Sequence, residues 1–214
     1  MISALVLAAG SGSRMNLGYN KMLYQLDGEY LINKALKVFI NHPDIQEIVV
    51  TVNQDDWDKM NEIITKDDCI KVVVGDVERY KSVYKGLQAI SNEYVLIHDG
   101  ARCFLERNEL DKIIEATLKY QAAFLGVVSK DTIHLVNQEH LVYQTTNRQE
   151  MILAQTPQGF KTSLIKDCYD QLLQSNNQTI TDDVSVALLY GDVQPYYVES
   201  SYSNIKVTTI EDLK

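Results

Sequence analysis

The chain has 214 residues, 45% of them hydrophobic, and a formal net charge of −9. That length fits one domain with a sizeable core, and the acidic balance argues against nucleic-acid binding, which runs on Lys and Arg contacts to phosphate. No apolar run approaches the ~20 residues of a membrane helix, no basic segment precedes the first apolar run as a secretory signal requires, and three scattered cysteines without a CxxC pair argue against disulfides and zinc, so a cytoplasmic setting is expected.

The first element is an apolar run through Ile2, Ala4, Leu5, Val6 and Leu7. It lacks polar alternation, as expected of a strand buried on both faces of a parallel sheet. It leads into Ala8-Ala9-Gly10-Ser11-Gly12-Ser13-Arg14-Met15, with Lys21 beyond. Glycines let backbone N–H groups approach a ligand closely and form an anion nest, and Arg14 and Lys21 add charge. The loop reads as a polyphosphate cradle. It lacks the third glycine of a dinucleotide fingerprint and the Gly-Lys-Ser/Thr ending of a kinase-type phosphate loop. On residue type alone, an ordinary strand-to-loop turn stays open.

A helix is predicted over 30–40, with Leu31, Ala35, Leu36 and Phe39 on one face and Asn41 and Pro43 as stop signals. A strand follows over 47–52, a helix over 55–65, a strand over 70–74 and a helix over 79–90. The segment 94–97 reads as a strand ending at His98-Asp99-Gly100, 108–120 as an amphipathic helix and 124–128 as a strand. Such alternation implies a parallel α/β sheet with crossover helices. Ligands of such sheets sit at the carboxyl ends of the strands, where segments 10–21, 75–82 and 99–102 can converge.

Residues 129–150 break this rhythm. Two short β-prone runs, 132–135 and 141–144, suggest a hairpin with no helix to cover it. An isolated hairpin is marginal in water, so a second subunit is its economical partner. After it come a strand at 151–154, the segment Gln155-Thr156-Pro157-Gln158-Gly159-Phe160, a helix at 162–174, Thr181-Asp182-Asp183 ahead of a helix to Tyr190, strands at 194–199 and 205–207, and a terminal helix from Ile210. The domain reading is one unit over 1–214, with 129–150 inserted as an arm.

The opening Leu-Ala-Ala-Gly-x-Gly-x-Arg-Met stretch with its later lysine resembles the nucleotidyltransferases that activate sugar and polyol phosphates. Further segments in order narrow the resemblance to the 2-C-methyl-D-erythritol 4-phosphate cytidylyltransferase family. They are Ser82-Val83-Tyr84-Lys85-Gly86-Leu87, His98-Asp99-Gly100-Ala101-Arg102, Lys130-Asp131-Thr132-Ile133, Gln155 to Phe160, and Ser203-Asn204-Ile205-Lys206-Val207-Thr208. The resemblance implies a Rossmann-like, mostly parallel sheet flanked by helices, with a protruding β-arm exchanged across a homodimer. It implies CTP and a polyol phosphate as substrates and Mg2+, or another hard divalent cation, held mainly by CTP phosphates with Asp99 as a candidate ligand.

The same resemblance suggests roles. Arg14 and Lys21 stabilise the α-phosphate transition state. Ala8, Ala9, Gly10, Ser11, Gly12, Asp76, Arg79, Ser82 and Gly100 bind the nucleotide. Asp99, Arg102, Thr132, Arg148, Thr156, Thr181 and Lys206 bind the polyol phosphate, Thr132 and Arg148 on the partner's site. The bland alternatives are a turn aspartate at Asp99, a helix cap at Ser82 and solvated side chains on the arm; His98 reads as structural. Two positions depart from the family pattern: Asp76 replaces a glycine, and Cys103 a proline. Ribitol-5-phosphate cytidylyltransferases share much of this pattern, and a catalytically silent nucleotide-binding regulator is the rival of another class.

Overall fold

Ile2–Ala8 forms β1, and its side chains alternate between two cores. Ala4, Val6 and Ala8 enter one, and Leu5 enters the other, all at most 1% exposed. In this computed structural model, residues 1–10, 15, 17–175 and 180–213 are described. Of the motif residues named above, Ser11, Gly12 and Arg14 lie outside the described residues.

A small hairpin of β2 (Gln25–Leu26) and β3 (Glu29–Tyr30) precedes α1 (Leu31–Ile40). Then come β4 (Ile45–Val52), α2 (Trp57–Ile63), β5 (Ile70–Val74), α3 (Arg79–Gln88), β6 (Tyr94–Asp99), α4 (Arg107–Tyr120) and β7 (Ala122–Val128). The predicted helix over 55–65 is split, because Gln54–Asp56 winds as a 3-10 turn with Asn53 capping it. The chain continues through β8 (His134–Val136), β9 (Val142–Thr145), β10 (Ile152–Lys161), α5 (Thr162–Gln174), α6 (Asp183–Tyr190) and β11 (Tyr196–Glu199).

The main sheet has seven strands in the order β11-β7-β10-β6-β1-β4-β5. β1 pairs in parallel with β4 and β6, β4 with β5, and β7 with β11. β10 runs antiparallel between β6 and β7. The strand expected at 151–154 therefore runs on through 155–160, which forms the body of β10. Its ladder to β7 shifts between Ala154 and Gln158, around Pro157, which has no N–H to give. The expected strand at 205–207 is absent. Val207 N–H donates to the Ala101 carbonyl, and the Val207 carbonyl accepts from a lysine side chain rather than from a strand. The terminal helix is a 3-10 turn, Ile210–Leu213.

Helices cover both faces, and α3 lies close to β1. A methyl group at Gly86 would collide with Leu5. The arm is a separate two-stranded sheet, β8 with β9. Its turn is closed by Asn137, whose Oδ1 accepts from the Glu139 and Leu141 N–H groups.

Candidate active site

The carboxyl ends of β1, β5 and β6 open onto one hollow of about 250 Å³. Ala8, Ala9 and Gly10 line it from the first strand, Asp76, Arg79 and Ser82 from the start of α3, and Asp99 from β6. Lys21, Lys206 and Thr208 complete it from chain segments far apart in sequence. Sequence pattern brought nine of the predicted site residues to this one place; Thr208 was not among them.

Lys21 starts a 3-10 turn, Lys21–Leu23, that is tied to the end of β1 by Asn20. The Asn20 side chain accepts from Met22 N–H at 3.0 Å and donates to the Ala8 carbonyl at 3.1 Å. Its amide also donates to Asp56 at 2.8 Å. Asn20 is 4% exposed, so this buried cap fixes where the lysine stem leaves the backbone. Lys21 Nζ then donates to the Val207 carbonyl at 2.8 Å.

Asp99 is the acidic centre of the hollow. Its Oδ2 accepts from Lys206 Nζ at 2.6 Å and its Oδ1 from Arg79 Nε at 3.1 Å. Burial alone would push its carboxyl up, but the charges of Arg79 and Lys206 outweigh that and hold it well below the usual carboxylate range. Behind it, Asp99 N–H donates to Thr156 Oγ at 3.0 Å. Thr156 Oγ also lies 3.1 Å from His98 Nδ1, and His98 Nε2 lies 3.1 Å from the Arg102 carbonyl. A carbonyl only accepts, so His98 carries its proton on Nε2 and accepts a hydrogen bond from the Thr156 hydroxyl at Nδ1. Burial pushes the His98 pKa down to about 4. This wholly buried, neutral ring is structural, and Thr156 acts behind the hollow rather than in it.

Arg79 is fully engaged. Its Nη1 and Nη2 donate to Asp183 at 3.1 and 2.7 Å, and Tyr169 Oη donates to the same carboxylate at 2.6 Å. Asp183 and Tyr169 are each 0% exposed. Gln158 completes the network: its Oε1 accepts from Asp183 and Val184 N–H, each at 3.0 Å, while its amide donates to Asp182 at 2.9 Å. Arg79 thus spends its guanidinium on carboxylates. Sequence reasoning did not reach this network; paired acids at a helix start with a glutamine nearby give only a capping signal.

Ser82 is not a helix cap. It lies in the second turn of α3, 3% exposed, and its hydroxyl accepts from Asp76 N–H and donates to the Asp76 carbonyl, both at 2.7 Å. A Cβ at Gly75 would sit 2.8 Å from Ala9 Cβ and 2.9 Å from Ser82 Oγ, so this loop closes tightly only with glycine there. Asp76 is outside the positive-φ region, so it needs no glycine-like backbone.

The remaining residues stand apart. Gly100 N–H donates to the Leu7 carbonyl. Arg102 reaches the Asn204 carbonyl at 2.7 Å, clamping the 201–204 turn to β6. Cys103 is buried against the core, and burial pushes its thiol up to about 11. Thr181 is exposed and meets Ser185 Oγ at 3.2 Å. Thr132 and Arg148 are exposed on the arm and do not line this chain's hollow; Arg148 reaches the Lys130 carbonyl instead. Among the described residues, no three His, Cys, Asp or Glu side chains cluster as a metal cage.

A family profile described as 2-C-methyl-D-erythritol 4-phosphate cytidylyltransferase matches residues 2–214. A Clostridium botulinum (strain Loch Maree / Type A3) protein of that name is 40% identical over 216 residues, covering 99% of this chain and 93% of its own. The fold is similar to the crystal structure of 4-diphosphocytidyl-2C-methyl-D-erythritol synthase from Anaerococcus prevotii, with a TM-score of 0.89, 33% identity and coverage of 100% and 94% of the two chains. It is also similar to the Francisella tularensis 2-C-methyl-D-erythritol 4-phosphate cytidylyltransferase, with a TM-score of 0.84, 30% identity and coverage of 99% and 96%. With the match running from the first strand to the last turn, this chain belongs to the 2-C-methyl-D-erythritol 4-phosphate cytidylyltransferase family.

Proposed function

We propose that the protein transfers the cytidylyl group of CTP to 2-C-methyl-D-erythritol 4-phosphate, a step of isoprenoid precursor synthesis, and releases pyrophosphate. The observation that carries this is the meeting of Lys21, Asp99 and Lys206 in one hollow beside the Ala8-Ala9-Gly10 loop, in a chain that matches the family along its length.

An oxygen of the polyol phosphate attacks the α-phosphorus of CTP. The new P–O bond forms as the bond to the bridging oxygen breaks, and pyrophosphate leaves with the electron pair. The attacking phosphate is already ionised, so no general base is needed, in keeping with a buried, neutral His98. What the protein must supply is alignment and positive charge. Lys21 serves as a charge donor at the α-phosphate, and Arg14, outside the described residues, as its partner. Asp99 accepts from polyol hydroxyls, and Lys206, already paired to Asp99 at 2.6 Å, faces the polyol phosphate.

A hard divalent cation fits this donor set only as a companion of the nucleotide. Both Asp99 oxygens are taken by cations, and the described residues offer no cage. Magnesium, which keeps several waters and few protein ligands, would neutralise the triphosphate when bound.

The arm supports a homodimer reading. Leu135, Val136, Leu141, Val142 and Tyr143 are exposed on this hairpin, at 37% to 66% of their surface. A partner would cover them, and Thr132 and Arg148 would then serve the partner's hollow. A net charge of −9 suits small phosphorylated substrates rather than nucleic acid. No helix of the described residues is long and apolar enough to cross a membrane, and a cytoplasmic place fits the substrates.

Pyrophosphate release with magnesium, CTP and either polyol phosphate tests the reading. It predicts turnover with methylerythritol phosphate and little with ribitol 5-phosphate. A preference for ribitol phosphate overturns the substrate choice, and no release with either overturns the activity.

A further inference from the structure

We infer that Tyr202 is a positioning residue for the polyol phosphate: it latches the root of the arm, so that Thr132 and Arg148 reach the partner's hollow in one fixed direction. This rests on the arm-exchange reading above.

The arm leaves the main sheet where β7 ends, and Tyr202 stands at that exit, on the turn after β11. Its hydroxyl donates to the Val128 carbonyl at 2.5 Å. Two residues further along the chain, the Lys130 ammonium lies over its ring, 3.6 Å from the centroid, as a cation–π contact. One side chain thus holds the outgoing strand at two points. The turn that carries Tyr202 is itself fixed to the body. Ser201 N–H donates to the buried Glu109 of α4 at 2.8 Å, and the wholly buried Asn204 amide donates to the Thr156 carbonyl at 3.0 Å.

Both receptor residues hang from the latched segment. Thr132 lies two residues beyond Lys130, and Arg148 Nη1 donates to the Lys130 carbonyl at 3.3 Å. The hairpin itself, β8 with β9, is a sheet separate from the main one, so its direction is set at its root. Without the latch the arm samples more directions, and substrate binding must order it; holding it in the bound direction beforehand removes that cost. The penalty falls on bound substrate and transition state alike, so it appears in the KM of the polyol phosphate and not in kcat.

Steady-state kinetics test this with Tyr202→Leu, Tyr202→Phe and Lys130→Met. Tyr202→Leu and Lys130→Met should each raise the KM for 2-C-methyl-D-erythritol 4-phosphate about five-fold, with kcat and the KM for CTP near wild type. Tyr202→Phe, which keeps the ring, should lose less. Mixed dimers separate action through the arm from action on the subunit's own hollow, since Tyr202 is also four residues from Lys206. In a dimer of one Tyr202→Leu and one Lys21→Ala subunit, the hollow with an intact Lys21 receives the wild-type arm, so its KM should return to the wild-type value. Unchanged kinetics in Tyr202→Leu and Lys130→Met overturn the inference. So does a KM that stays raised in that mixed dimer while a dimer of Arg148→Ala and Lys21→Ala subunits recovers. If neither mixed dimer recovers, the arm exchange on which the inference rests is what fails.

Discussion

Lys21 donates to the Val207 carbonyl at 2.8 Å, so a backbone oxygen near the end of the chain holds the lysine of the first loop. Val207 is itself buried and tied through its N–H to the Ala101 carbonyl, beside the strand that carries Asp99. The two cationic ends of the hollow, Lys21 and Lys206, are thereby set in one frame.

Replacing that lysine tests its part in the chemistry. Lys21→Ala should lower kcat by at least ~10²-fold, the usual loss for one transition-state charge donor, while circular dichroism stays that of wild type. Near-normal turnover would remove Lys21 from the mechanism.

Asp183 should matter first for stability. Asp183→Ala removes a fully buried carboxylate, strips the half-buried Arg79 guanidinium of its bidentate partner and leaves the Tyr169 hydroxyl without an acceptor. Breaking a buried pair from one side costs about 3–5 kcal/mol. Urea unfolding that shows a loss under about 1 kcal/mol would contradict the burial argument.

Stability should also depend on pH through His98. Its folded pKa is about 4, and its unfolded value is the ordinary ~6.5. Between these values the unfolded chain binds the extra proton, so stability is complete above pH ~6.5 and falls as pH drops toward 4. The loss should reach about 3 kcal/mol. Asp99 shifts in the other window: its stabilisation fades only below the usual carboxylate pKa of ~3.9. His98→Asn should flatten the slope between pH 7 and 4; an unchanged slope would show that the imidazole is not its source.

The alternation of apolar runs with amphipathic helices made most of this fold legible, since β1 and β4 must be apolar on both faces to be buried on both. The hollow was legible because three of its walls follow strand ends in sequence. β10 was cut short at Ala154: Gln155, Thr156, Pro157 and Gln158 carry no strand signal because they are polar or lack an N–H. They sit in a strand because their polar groups find partners, among them the Ser201 carbonyl, His98, the Asp99 N–H and Asp182. Such partners are distant in sequence and leave no local signature. Lys206 shows the same limit, since its stretch looks β-prone but joins no ladder: Val207 N–H reaches the Ala101 carbonyl and Lys206 Nζ reaches Asp99.

The arm gives a prediction specific to assembly. Arg148→Ala should raise the KM for methylerythritol phosphate and leave that for CTP alone, because Arg148 lies off the hollow of its own chain. Mixed dimers of Arg148→Ala and Lys21→Ala subunits should regain activity, as one hollow then holds both intact groups. No recovery would speak against exchange of the arm.

The most direct test is phosphorus NMR of wild-type protein incubated with magnesium, CTP and 2-C-methyl-D-erythritol 4-phosphate. The account predicts a new pair of coupled diphosphate signals and one equivalent of pyrophosphate. Intact CTP, or CTP cleaved to CMP with the polyol phosphate untouched, would contradict it.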